Sequence, residues 1–236
     1  MTQATRVHLG ASSLELLARS DTAEFIHPSW MHLGDPPNYE ARSDTGTLKS
    51  RARAWAKRVL RRRGVAAEGD PALYARTNFR PWMFTKGDRL PFEDSSIGFI
   101  YSEHVFEHFR YDILTDLLAE SLRVLKPGGV IRTVVPDADY RTYEKPEMSG
   151  YPNPSMAFSH PNKHKIRWNN YLLAQTLKFV GLEPKSLVWC DEDGRFIAEN
   201  PAEAYRGRKV ADAEMVDTLR YVQRKKSLIV DGLKVA

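Results

Sequence analysis

The stretch "SIGFIYSEHVFEHFRYDILTDLLAESLRVLKPGGVIRTVVP", residues 96–136, decides the fold. Its first seven residues form a short apolar run of the kind found in a buried strand. Residues 112–125 then place apolar side chains at helical spacing, and "KPGG" (126–129) breaks the chain. Residues 130–136 are a second apolar run. A strand, a helix and a strand joined at this length form a βαβ unit, whose two strands run parallel.

Working outward, the same alternation recurs. "RVHLG" (6–10) reads as a strand ending at a glycine, and "SLELLARS" (13–20) as a helix capped by a serine. "AEFIHP" (23–28) reads as a second strand and "WMFT" (82–85) as a third. Downstream, "RWNNYLLAQTLKFVG" (167–181) is a helix closed by Gly181, "PKSLVWC" (184–190) a strand, and "KKSLIVDGLKV" (225–235) the closing segment. The pattern predicts one α/β domain over 1–236 with a doubly wound open sheet.

The 236 residues are 42% hydrophobic, enough for one sizeable core. The single cysteine, Cys190, excludes an internal disulfide and suits a reducing compartment. No window is apolar for long enough to span a membrane, and the first residues lack a signal-peptide pattern, so a cytoplasmic protein is expected. The net charge of +5 is concentrated. Residues 48–63, "LKSRARAWAKRVLRRR", hold eight basic side chains and no acid, with Leu48, Ala52, Trp55 and Val59 on one helical stripe. This insertion reads as a solvated amphipathic helix, a surface for an anionic partner, or an oligomer contact.

Ligands of an open parallel sheet bind outside the carboxyl ends of its strands. That rule singles out residues 10–13, His27 and Pro28, residues 102–104 and residues 136–140. Within "YSEHVFEHF", His104 to His108 also fits H-x-x-E-H, a zinc-protease pattern. A zinc site there needs a third protein ligand, for which the sequence distinguishes no candidate, and no metal is expected.

Two stretches, "LPFEDSSIGFIYSEHVFEHF" (90–109) and "LLAESLRVLKPGGVIRTVVPD" (117–137), resemble the middle of a class I S-adenosylmethionine-dependent methyltransferase of type 11. The resemblance implies a mostly parallel seven-stranded sheet whose last strand is antiparallel, with S-adenosylmethionine as cofactor. It implies cofactor contacts from Gly10, Ala11 and Ser12, His27 after the second strand, Asp88, Arg89 and Leu90 near the adenine, and Ser102 and Glu103 near the methionyl end. It places His104 facing the acceptor, with Asp137 after the fifth strand as a further acceptor contact. His160 and His164, on a lid-like loop over 137–166, are candidate general bases. The family's G-x-G-x-G is reduced here to Gly10, followed by Ala11, Ser12, Ser13 and Leu14. A small molecule or glycan precursor is the expected acceptor; a non-catalytic binding protein and a nucleic-acid methyltransferase are the alternatives.

Overall fold

The computed structural model describes residues 4–11, 25–34, 77–140 and 164–235. The helix expected at 13–20, the basic segment 48–63 and most of the loop 137–166 lie outside the described residues.

Eight strands form one sheet: β1 (Arg6–Leu9), β2 (Trp30–Gly34), β3 (Phe79–Pro81), β4 (Ile97–Glu103), β5 (Leu125–Val135), β6 (Glu183–Cys190), β7 (Phe196–Ala198) and β8 (Leu228–Leu233). Their order is β3-β2-β1-β4-β5-β8-β6-β7. The first five run parallel, and β8 inserts antiparallel between β5 and β6. The expected antiparallel closing strand is therefore present. The expected count of seven is one short, because β7 turns back on β6 as an edge hairpin.

Helices α1 (Tyr111–Val124) and α2 (Asn170–Phe179) cover one face. Leu114, Leu117 and Leu118 of α1, with Leu173 and Leu177 of α2, pack on Ile100, Ile131 and Val135. Burying each such leucine contributes about 1.5–3 kcal/mol. The other face carries Phe99, Tyr101, Val130 and Val134 against Phe25, Trp30, Tyr205, Met215 and Tyr221. Asn169 caps α2 by accepting the Leu172 N–H, and Gly181 leaves it with φ +96°. The crossover glycines sit under the chain: a Cβ on Gly128 (φ +78°) would stand 2.8 Å from the Lys209 carbonyl oxygen.

The second strand is not where the sequence places it. Phe25 and Ile26 form a short turn before Pro28, and the strand begins at Trp30. Its histidine is buried by pairing. His32 Nε2 donates to the Phe25 carbonyl at 2.8 Å, and its Nδ1 meets His8 Nδ1 at 3.2 Å. With His32 neutral and protonated on Nε2, His8 must donate from Nδ1. Burial pushes His32 down to about 4 and His8 well below its ordinary value.

A buried ion pair joins β5 to β8. Arg132 and Asp231 are register partners; Nε and Nη2 of Arg132 donate to the two carboxylate oxygens at 2.8 and 2.6 Å. Tyr205 adds its hydroxyl to Asp231 at 2.8 Å. The remaining guanidinium donors reach the carbonyls of Met215, Val216 and Thr218 and the hydroxyl of Tyr221.

Candidate active site

The carboxyl edge of the sheet is built where β1, β4 and β5 end. Gly10 leaves β1 with φ +76°, a region that favours glycine. A Cβ there would lie 2.1 Å from Val105 Cγ2, so the close approach at Gly10 is made by the turn after β4. Ala11 is buried and donates its N–H to the Leu33 carbonyl. At the end of β4, Ser102 is buried and its hydroxyl has no hydrogen-bond partner among the described residues.

His104 turns the chain. Its φ of +54° is uncommon for a residue with a Cβ and costs about 1–3 kcal/mol, held here by its N–H to the Val134 carbonyl. The turn throws the imidazole inward, with Nε2 at 3.2 Å from the Ser227 hydroxyl and Nδ1 at 3.1 Å from Glu107 Oε1. Glu107 lies in a 3-10 turn, Phe106–His108, so H-x-x-E-H does not lie on one α-helix. Its carboxylate is 1% exposed, and neither oxygen accepts an aligned hydrogen bond among the described residues, the His104 contact included. His108 Nε2 stands 3.9 Å from the same oxygen.

The segment after residue 163 is stitched to this turn. Lys165 donates its N–H to the Glu107 carbonyl and its ammonium to the His108 carbonyl. His164 is thereby set edge-on against His108, ring centroids 5.1 Å apart. Burial lowers the His164 pKa, with Glu107 opposing and His108 and His104 reinforcing the shift.

Other sequence candidates have different occupations. Glu103 accepts from the Tyr101 hydroxyl at 2.6 Å and from the Arg224 N–H at 2.8 Å, so it anchors the segment before β8. Asp137 accepts from the N–H groups of Asp139 and Cys190 at 3.0 and 2.7 Å, tying the ends of β5 and β6. Burial raises its pKa; burial and Asp137 together push the Cys190 thiol up to about 12. His27 precedes β2 and contacts Ser29, so it stands at the amino end of that strand rather than after it. The next acid after β2 in the sequence is Asp35, outside the described residues. Asp88 accepts the N–H and hydroxyl of Thr85, each at 2.7 Å, which holds its carboxyl below the usual range. Leu90 is buried in the core and Arg89 lies between Asp94 and Glu120. Both line a cavity of about 1080 Å³ with Ala4, Pro28 and Asn78, at the amino ends of the strands and away from this edge. Ser12 and His160 lie outside the described residues. Glu107, His108 and Ser227 went unselected in the sequence; only the first two carried a signal, as members of H-x-x-E-H.

Residues 53–133, about a third of the chain, match a family described as a methyltransferase domain. No curated protein matches significantly. The chain is similar to solved structures at low identity. One is a complex between the Haloferax volcanii Trm112 methyltransferase activator and a methyltransferase candidate (20% identity, 99% of this chain and 84% of that one, TM-score 0.49). Another is a S-adenosylmethionine-dependent methyltransferase from Methanosarcina mazei (13%, 100% and 94%, TM-score 0.47). A third is the Burkholderia thailandensis 1,6-didemethyltoxoflavin-N1-methyltransferase with its substrate and S-adenosylhomocysteine (14%, 99% and 72%, TM-score 0.48). At these scores the likeness is distant, and the weight rests on the domain match and the strand order. These agree with the motif resemblance: residues 53–133 match a methyltransferase domain, and the sheet is mostly parallel with β8 antiparallel.

Proposed function

We propose that the protein transfers a methyl group from S-adenosylmethionine to a hydroxyl or amine of a small molecule or glycan precursor in the cytoplasm. The observation that carries this reading is the buried Ser102 hydroxyl, which has no partner among the described residues and adjoins the inward-turned His104. A buried hydroxyl left alone costs about 1–3 kcal/mol, which a bound ligand relieves. That orphan fits the cofactor. The Ser102 hydroxyl would hold it, with Asp35 in sequence position for the ribose. When bound, S-adenosylmethionine supplies a methyl group on a sulfonium, open to in-line displacement. The chain's own share is alignment of the acceptor, which supplies much of such a rate, and a proton acceptor in His104 or His164.

The single remaining glycine of the motif, with Val105 packed over it, favours a second reading: a fold retained for binding without catalysis. Thermal unfolding with S-adenosylhomocysteine separates the two. A saturable rise in Tm supports the enzyme; no shift at any concentration supports the scaffold. The basic segment 48–63 supports an anionic partner and, as a third reading, a nucleic-acid acceptor. Replacing Arg58, Arg61 and Arg62 by Ala should abolish polyanion binding there, and unchanged binding would remove that role.

A further inference from the structure

We propose that Glu107, His108 and His164 form a binding site for one divalent first-row transition-metal ion. The ligand atoms of these three side chains all lie within 4.8 Å of one another. A tetrahedral ion with bonds of about 2.0–2.2 Å spaces its ligands about 3.4 Å apart, so small side-chain rotations close the shell. Two imidazoles and one carboxylate suit zinc, iron, cobalt or manganese.

A second observation, independent of the clustering, points to a ligand there. Both carboxylate oxygens of Glu107 are buried without an aligned donor among the described residues, and so is Nδ1 of His108. A buried carboxylate without a donor is costly, and a cation is the partner that removes the cost. The third ligand, which the sequence did not supply, is delivered by Lys165: its backbone and side chain fasten residue 164 to the turn that carries Glu107 and His108. His104, braced by Ser227, stands against the same carboxylate.

Three protein ligands leave a fourth position open, the arrangement of catalytic rather than structural zinc. An oxygen ligand there loses its proton more readily. The metal site stands without the methyl-transfer reading; a metal-bound His164 leaves His104 as the proton acceptor of that reading.

The test uses the full chain, stripped with a chelator and titrated with zinc chloride or, for its visible d–d bands, cobalt chloride. One equivalent binds per chain. Glu107→Gln and His164→Ala each weaken binding at least about tenfold with unchanged circular dichroism, while His27→Ala binds as the parent does. Absence of saturable one-to-one binding by the parent chain would overturn the proposal, as would equal binding by both variants. If a variant fails to fold, the parent's stoichiometry still decides. S-adenosylhomocysteine titration of the stripped chain is scored separately, so loss of one site is not mistaken for loss of the other.

Discussion

Asp231 and Glu107 are both carboxylates sealed inside the same sheet-based fold, and they are treated in opposite ways. Asp231 receives two guanidinium N–H groups and a tyrosine hydroxyl, and the rest of that guanidinium is spent on carbonyls. Glu107 has a histidine at 3.1 Å that is out of line and another at 3.9 Å. A satisfied buried charge holds architecture together, whereas an unsatisfied one marks a place where something else binds. The Arg132–Asp231 pair fixes the antiparallel strand that identifies the sheet. The Glu107 cluster lies at the carboxyl edge, where an open sheet binds its ligands.

The largest expected effect tests the first half of that contrast. Asp231→Ala strands a buried guanidinium and should cost about 3–5 kcal/mol in urea unfolding, whereas Glu107→Gln in the metal-free chain should leave stability unchanged or raise it. An equal loss at both sites would erase the distinction.

Next comes the response to acid. His32 and His8 are held neutral when folded, so the unfolded chain binds more protons below its ordinary histidine range. Stability is then complete above about pH 6.5 and falls as pH drops towards 4, by about 3 kcal/mol for His32 alone. A flat Tm between pH 7 and pH 5 would contradict the buried pair.

Gly10→Ala tests how tightly the two strand ends are fitted. The new methyl meets Val105 at a positive φ, and a loss of about 1–3 kcal/mol is expected. Adding Val105→Ala should recover part of it, because the backbone strain stays while the clash goes. Unaltered stability in Gly10→Ala would mean that the turn after β4 gives way. The smallest effect is at Ser102. Removing its orphan hydroxyl in Ser102→Ala should leave the free chain as stable or more stable and weaken S-adenosylhomocysteine by about 0.5–1.5 kcal/mol, two- to tenfold.

Most of the central βαβ unit was legible because its period is unambiguous: α1 begins and ends within one residue of the expected bounds and β4 is displaced by one, but β5 starts at Leu125 and runs through the KPGG expected to break the chain. The second strand was not, because Phe25 and Ile26 look like a strand from composition. The true strand carries His32, whose burial depends on a histidine in another strand. The strand beyond the expected seven, β7, is three residues long and has no pattern of its own. In the site, Gly10, Ala11, Ser102, His104 and His164 lie at or near the carboxyl edge of the sheet. Glu103 and Asp137 are spent on backbone N–H groups, and Arg89 and Leu90 on a turn and the core. Hydrogen-bond commitments of that kind are settled by tertiary neighbours, not by local sequence. The association of His164 with the turn after β4 was invisible for the same reason: Lys165, far along the chain, makes it.

The most direct test of the methyltransferase assignment is calorimetric titration of the full chain with S-adenosylhomocysteine. One saturable site per chain is predicted, weakened in Ser102→Ala with no loss of stability. Absence of heat from the folded parent chain would contradict the assignment of the carboxyl edge as a cofactor site.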